Sequence, residues 1–109
     1  MKSKEKIMEE LNISKLPKNW TDGEIRYNSS KDKEWRYFIN LKDEIVILYD
    51  EENDGVLINK IIWEENTKNW KYSKDLYETR KEKTDKEKFE KSIELMKKYN
   101  KGELKNKII

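Results

Sequence analysis

The stretch Glu34-Trp35-Arg36-Tyr37-Phe38-Ile39-Asn40-Leu41-Lys42-Asp43-Glu44-Ile45-Val46-Ile47-Leu48-Tyr49 decides the fold. From Glu34 to Leu41 the side chains alternate. An extended chain puts Trp35, Tyr37, Ile39 and Leu41 on one side and Glu34, Arg36, Phe38 and Asn40 on the other. Such a period of two is a strand signature, because a helix would scatter the same residues around its circumference. Lys42-Asp43 is short enough for a hairpin connection. Beyond it, residues 44–49 carry apolar side chains of both parities through Ile45, Val46, Ile47 and Leu48, as expected of a central strand covered on both faces.

On the N-terminal side, residues 24–28 set Ile25 and Tyr27 against Glu24 and Arg26, a further strand joined through a polar turn at 29–33. On the C-terminal side, the charged run 50–55 ends in Gly55 and reads as a turn, and 56–63 is a fourth strand with apolar residues of both parities. These short connections predict an antiparallel meander. Trp70 and Tyr72 alternate as a short fifth strand would, with a turn after it. Thr84 followed three residues later by Glu87 is a capping box, and Phe89, Ile93, Met96 and Tyr99 then form an apolar stripe that Gly102 terminates. A shorter N-terminal helix is capped by Ser3, with Ile7, Met8 and Leu11 on one side and Asn12 at its end. Between it and the sheet, Leu16-Pro17 and Asp22-Gly23 mark an irregular connection that Trp20 anchors. The fold class expected is α+β: a four- to five-stranded antiparallel sheet with the C-terminal amphipathic helix packed over the Trp35, Tyr37 and Ile39 side, and a short N-terminal helix. A chain of 109 residues has the usual size of one domain, 1–109.

Composition narrows the chemistry. The chain has no Cys and no His, which removes disulfides, thiolate ligands, the thiol nucleophile and the commonest general base and metal ligand. Its three glycines are accounted for by turns and a cap, so no phosphate-cradling loop exists, and its carboxylates stand in polar runs that do not raise a pKa. No enzyme activity and no cofactor are expected. The run Asp50-Glu51-Glu52-Asn53-Asp54-Gly55 resembles the opening of a calcium loop, but the position for its bidentate carboxylate is Ile61, inside a strand. A charged hairpin turn is the reading preferred, and no metal site is expected. No apolar run approaches the roughly 18 residues that span a bilayer, and residues 1–11 are charged, so a cytoplasmic protein without membrane contact is expected.

Charged residues make up 44% of the chain, but 25 Lys and Arg nearly balance 23 Asp and Glu. Lys outnumbers Arg heavily and Ile and Asn are abundant, the usage of an AT-rich coding sequence such as that of a low-GC bacterium or its phage. Four Trp, six Tyr and two Phe are many for so short a chain, and aromatic side chains dominate both cores and binding hot spots; Trp35, Tyr37 and Trp63 stand at strand positions where burial is expected. Arg26 and Arg36 have the same parity on neighbouring strands, with Phe38 beside Arg36, and Trp70 and Tyr72 lie in the least constrained segment. Arg26, Arg36, Phe38, Trp70 and Tyr72 are therefore the candidate partner-binding residues. By elimination the sequence points to a small non-catalytic protein-binding module of the inhibitor, immunity or phage-encoded anti-defence kind. The alternative is a nucleic-acid-binding domain using its lysines and exposed aromatics.

Overall fold

The structure, a computed structural model, describes residues 1–27 and 34–104, and at 24–27 the backbone alone. The expected turn at 29–33, the tail 105–109 and the side chain of Arg26 lie outside the described residues. In chain order the elements are α1 (Lys4–Glu10), β1 (Thr21–Tyr27), β2 (Glu34–Asn40), β3 (Ile45–Asp50), β4 (Leu57–Glu64), β5 (Asn69–Glu78) and α2 (Asp85–Asn100). The strands form one antiparallel sheet in sequence order, β1-β2-β3-β4-β5. The α+β meander is the architecture the alternation implies.

Local chemistry sets the element ends. Ser3 accepts a hydrogen bond from the Lys6 amide at 3.2 Å to start α1. Thr84 and Glu87 complete both halves of the capping box that starts α2: the Glu87 amide donates to Thr84 Oγ1 at 3.1 Å and the Thr84 amide to Glu87 Oε1 at 3.0 Å. The β2–β3 link is longer than the two residues expected. Asp43 N donates to Asn40 Oδ1 at 3.1 Å and Glu44 takes φ 53°, the left-handed residue that closes many short hairpins. Lys68 does the same between β4 and β5, also at φ 53°.

Two corrections to the expected layout follow from the packing. First, α2 covers the other side of the sheet. Its residues Phe89, Ile93, Leu95 and Met96, with Ile7 and Met8 of α1, share one core with Phe38, Ile45, Ile47, Tyr49, Ile58 and Leu76. Trp35, Tyr37 and Ile39 are on the face away from both helices and pack against Val46, Leu48, Leu57, Ile61 and Trp70 of the sheet. The reason is that α2's stripe needs apolar partners from several strands at once, and the Phe38 parity supplies them through its registered partner Ile47 and that residue's own partner Ile58. Second, Arg36 and Phe38 are not surface anchors. Phe38 is fully buried, its ring edge-on to Phe89 with centroids 5.2 Å apart. Arg36 is buried too, with its guanidinium carbon 5.4 Å from the Phe89 ring centre, a bond from Nη2 to the Lys2 carbonyl, and Asp85 Oδ2 at 4.0 Å. Lys88 of α2 is likewise buried and donates to the Asp50 carbonyl at 2.8 Å, tying α2 to the end of β3. Trp20 is buried as expected and fastens its connection to the end of α2, donating to Asn100 Oδ1 at 3.1 Å and standing edge-on to Tyr99.

Two phenols brace α2 against the sheet. Tyr49 donates to Asp85 Oδ1 at 2.9 Å and Tyr99 to Asp43 Oδ2 at 2.8 Å. Burial, reinforced by the bond to Asp43, pushes the Tyr99 pKa up to about 12, and burial pushes the Tyr49 phenol up as well. An unfolded chain loses these protons near pH 10. Their contribution to stability is therefore complete below about pH 10 and declines as the pH rises, because the unfolded state then binds fewer protons than the native one. We expect the thermal midpoint to fall above about pH 10, and the fall to be shallower in the Tyr49→Phe/Tyr99→Phe double variant when both are followed by circular dichroism across that range.

Candidate functional site

The face that no helix covers is built by one parity of each strand. β2 contributes Trp35, Tyr37 and Ile39, β3 Val46 and Leu48, and β4 Leu57, Ile61 and Trp63, with Trp70 and Tyr72 of β5 registered opposite Trp63 and Ile61. Ile39, Val46, Leu48 and Ile61 are buried, and Trp35, Tyr37, Leu57 and Trp70 are half-buried around them. The large aromatics roof the small aliphatics, so this face is shielded from water by its own side chains. Tyr37 and Trp70 meet edge to face at 5.3 Å, bridging from β2 to β5. Tyr72 is 56% exposed, and its hydroxyl donates to Asp75 Oδ1 at 3.1 Å. The indole nitrogen of Trp63 donates to Glu65 at 2.8 Å, whereas that of Trp70 is shut off from solvent and has no acceptor among the described residues. Leaving a buried donor unmet costs roughly 1–3 kcal/mol.

Charge is sorted between the two sides of β4 and β5. Asp75 is registered with Asn59 and Glu78 with Leu57, positions on the helix-free face, as is Asp50, registered with Trp35. Lys60 and Lys71 occupy positions of the other parity, where Lys60 donates to the Asp43 carbonyl at 2.6 Å and Lys71 pairs with Glu64 at 2.9 Å. At the end of the face where β3 turns into β4, a groove of ≈ 530 Å³ opens between Trp35 and Leu57 on one side and Asp54, Glu78 and Arg80 on the other. Arg80 Nη2 lies 2.9 Å from Glu78 Oε1.

Comparison with family models, with curated proteins and with solved structures finds no match.

Of the residues singled out in the sequence, the structure brings Trp70 and Tyr72 together on the helix-free face and separates them from Arg36 and Phe38, which lie beneath α2. Arg26 and Arg36 do not share a parity in register: Arg26 is opposite Trp35, and Ile25 is opposite Arg36, because β1 is shifted by an irregularity between Asp22 and Ile25. The turn that resembles a calcium loop spends its first carboxylate internally, with Asp50 accepting from the Asn53 amide at 2.8 Å and from its side-chain nitrogen at 3.0 Å. Among the described residues no cluster of three or more acidic side chains is arranged to hold a metal ion. Sequence reading missed the groove. Its walls come from positions 35, 54, 57, 78 and 80, and only the strand register brings these together.

Proposed function

We propose that this chain is a small non-catalytic module that binds a macromolecular partner, a protein, through the helix-free face of its sheet, as inhibitor, immunity and phage-encoded anti-defence proteins do. One observation carries the reading: Trp35, Tyr37, Trp63, Trp70 and Tyr72 are concentrated on the one side of the sheet that neither helix covers. A contiguous apolar and aromatic patch on a small domain marks an interaction surface, and Trp and Tyr are the residues that carry most of the binding energy when a partner excludes water from them. The unmet indole N–H of Trp70 adds to this, since rotation of that ring toward a partner carbonyl relieves a cost that the free protein bears.

The same face disfavours nucleic acid. Among the described side chains, the exposed charged strand positions on it are Asp75 and Glu78, while Lys60 and Lys71 belong to the other parity, so a phosphate backbone laid across the β4–β5 side of the aromatics meets carboxylates. The test is affinity capture from the native host with the wild-type chain and with Tyr72→Glu as paired baits, followed by binding measurements on the purified captured protein. Tyr72 is mostly solvent-exposed, so the variant is expected to keep its thermal midpoint and to bind at least about tenfold more weakly, a loss of ~1.4 kcal/mol. Undiminished binding by Tyr72→Glu overturns the reading. Retention of RNA or DNA that is lost steeply with added salt would replace it with the nucleic-acid alternative.

A further inference from the structure

At the opposite end of the sheet, where β2 turns into β3, that turn, the connection before β1 and the end of α2 enclose a pocket of ≈ 470 Å³. Hydrogen bonds fasten the three segments to one another. The Tyr99 hydroxyl donates to Asp43 Oδ2 at 2.8 Å, and Asn100 accepts from the Trp20 indole at 3.1 Å and donates to the Lys18 carbonyl at 2.9 Å. Each segment contributes one lysine to the lining, Lys18, Lys42 and Lys101, and none of the three forms an ion pair among the described residues. The one carboxylate in the lining, Asp43, is already engaged by Tyr99, so the pocket holds two positive charges in excess. The negative end of α2 does not cancel them, because the amides of Lys101, Gly102 and Glu103 take up its last carbonyls. Asn40 supplies a second, independent observation. It lines the same pocket, yet the residue is only 1% exposed; its Oδ1 accepts from the Asp43 amide at 3.1 Å, and its Nδ2 donates to no acceptor among the described residues. Unlike the Trp70 indole nitrogen, this donor is not sealed off, and the opening left to it is the pocket that the residue lines. Polar groups buried this deeply are normally satisfied, so an unmet one calls for an acceptor from outside.

We infer that this pocket binds a phosphate monoester, with Lys18, Lys42 and Lys101 around the group and Asn40 Nδ2 donating to one of its oxygens. A monoester carries close to two negative charges at neutral pH, which matches the excess, and its three terminal oxygens can meet three ammonium groups and an amide at once. A carboxylate brings one charge and two oxygens and leaves part of the pocket unmet. Lysine suits this arrangement, since compact ammonium groups act as point charges that approach a tetrahedral group from several sides. The site does not depend on the helix-free face. It gives the chain a second recognition element of different chemistry, for a phosphate carried either on a protein side chain or on a nucleotide.

The experiment titrates the full chain, labelled with ¹⁵N, with inorganic phosphate, with the blocked tripeptide acetyl-glycyl-phosphoseryl-glycine amide and with adenosine 5′-monophosphate, at ionic strength held constant with chloride. All three are expected to give saturable shifts of the Asn40 side-chain amide, assigned by its absence in Asn40→Asp, and of the backbone amides of Lys42, Asp43, Lys101 and Gly102. The unphosphorylated peptide and adenosine should leave these signals in place. Tighter binding of the phosphopeptide assigns the phosphate to a protein side chain and tighter binding of the mononucleotide assigns it to a nucleotide; either order supports the pocket. Lys18→Gln/Lys42→Gln/Lys101→Gln should weaken binding at least about tenfold, whereas Lys81→Gln/Lys83→Gln/Lys86→Gln, which removes the same charge at the other end of α2, should change it less than about twofold. Asn40→Asp keeps the acceptor for the Asp43 amide and deletes the donor, and should weaken binding by a similar factor of about ten; if it does not fold, the lysine variants, all at exposed positions, decide alone. No saturable shift at the pocket, or equal weakening in the two triple variants, overturns the inference.

Discussion

Replacing Phe38 with alanine is expected to cost the fold about 3–5 kcal/mol, a large share for a domain of this size, whose total stability is of order 5–15 kcal/mol. The ring is fully buried between the sheet and α2, registered opposite Ile47 and edge-on to Phe89. Its removal opens a cavity at the point where the helix meets the sheet. It also withdraws a neighbour from Phe89, whose ring in turn lies beside the Arg36 guanidinium, so the loss reaches a buried charge held by the Lys2 carbonyl and Asp85. A urea titration checks this: the midpoint of Phe38→Ala should fall sharply, while Tyr72→Ala on the opposite face should stay within about 0.5 kcal/mol of wild type. Equal midpoints for Phe38→Ala and wild type would mean that α2 does not pack where the structure puts it.

Phe38 also shows where sequence reading stops. Alternation in β2 and the twin parity of β3 are local properties, and so is the pairing of Thr84 with Glu87; each is readable from neighbours in the chain and each forms the element expected. Which side of the sheet the helix chooses is not local. Within β2 alone, Trp35, Tyr37, Ile39 and Leu41 look like the buried set, because Phe38 is flanked by Arg36 and Asn40. The choice depends on what β3, β4 and β5 add to each parity after register is fixed, and on Arg36 finding partners in Lys2 and Asp85 that are remote in sequence.

β5 fails as a sequence pattern for a related reason. It runs ten residues, Asn69–Glu78, longer than Trp70 and Tyr72 suggest, and irregularities in its pairing with β4 shift the parity, so that Leu76 joins the helix-side core although Trp70 and Tyr72 do not. Such bulges leave no period for a sequence to display, and on an edge strand they also hinder unwanted pairing with other chains. β1 begins earlier than expected, at Thr21, since Asp22-Gly23 reads as a turn locally but pairs with β2 as an irregular strand. The candidate site was legible only in its aromatic half, Trp70 and Tyr72. Its acidic half is assembled from a turn, the end of a strand and the segment beyond it, places where charge is ordinary in sequence and acquires meaning only by juxtaposition.

Gly55→Ala is expected to be the most damaging substitution of a single small residue, costing about 3 kcal/mol or more through backbone strain and a forced separation of two chain segments. Gly55 has φ 86°, a conformation that penalises any side chain. An added Cβ would also stand 1.8 Å from the Thr79 carbonyl oxygen and 2.9 Å from Arg80 Cα, backbone atoms that cannot swing aside. The two segments it would push apart are held closely: the Gly55 amide donates to the Glu82 carbonyl at 2.7 Å, the Val56 amide to Thr79 Oγ1 at 2.9 Å, and the Thr79 amide to the Val56 carbonyl at 2.9 Å. Gly23→Ala is the milder comparison, because its Cβ would meet side-chain atoms, the end of Ile39 at 2.9 Å and Tyr37 Cβ at 3.0 Å, at an ordinary φ, and its cost should be about 1–2 kcal/mol. Thermal melts of the two variants rank them directly, and a Gly55→Ala midpoint no lower than that of Gly23→Ala would refute the close approach.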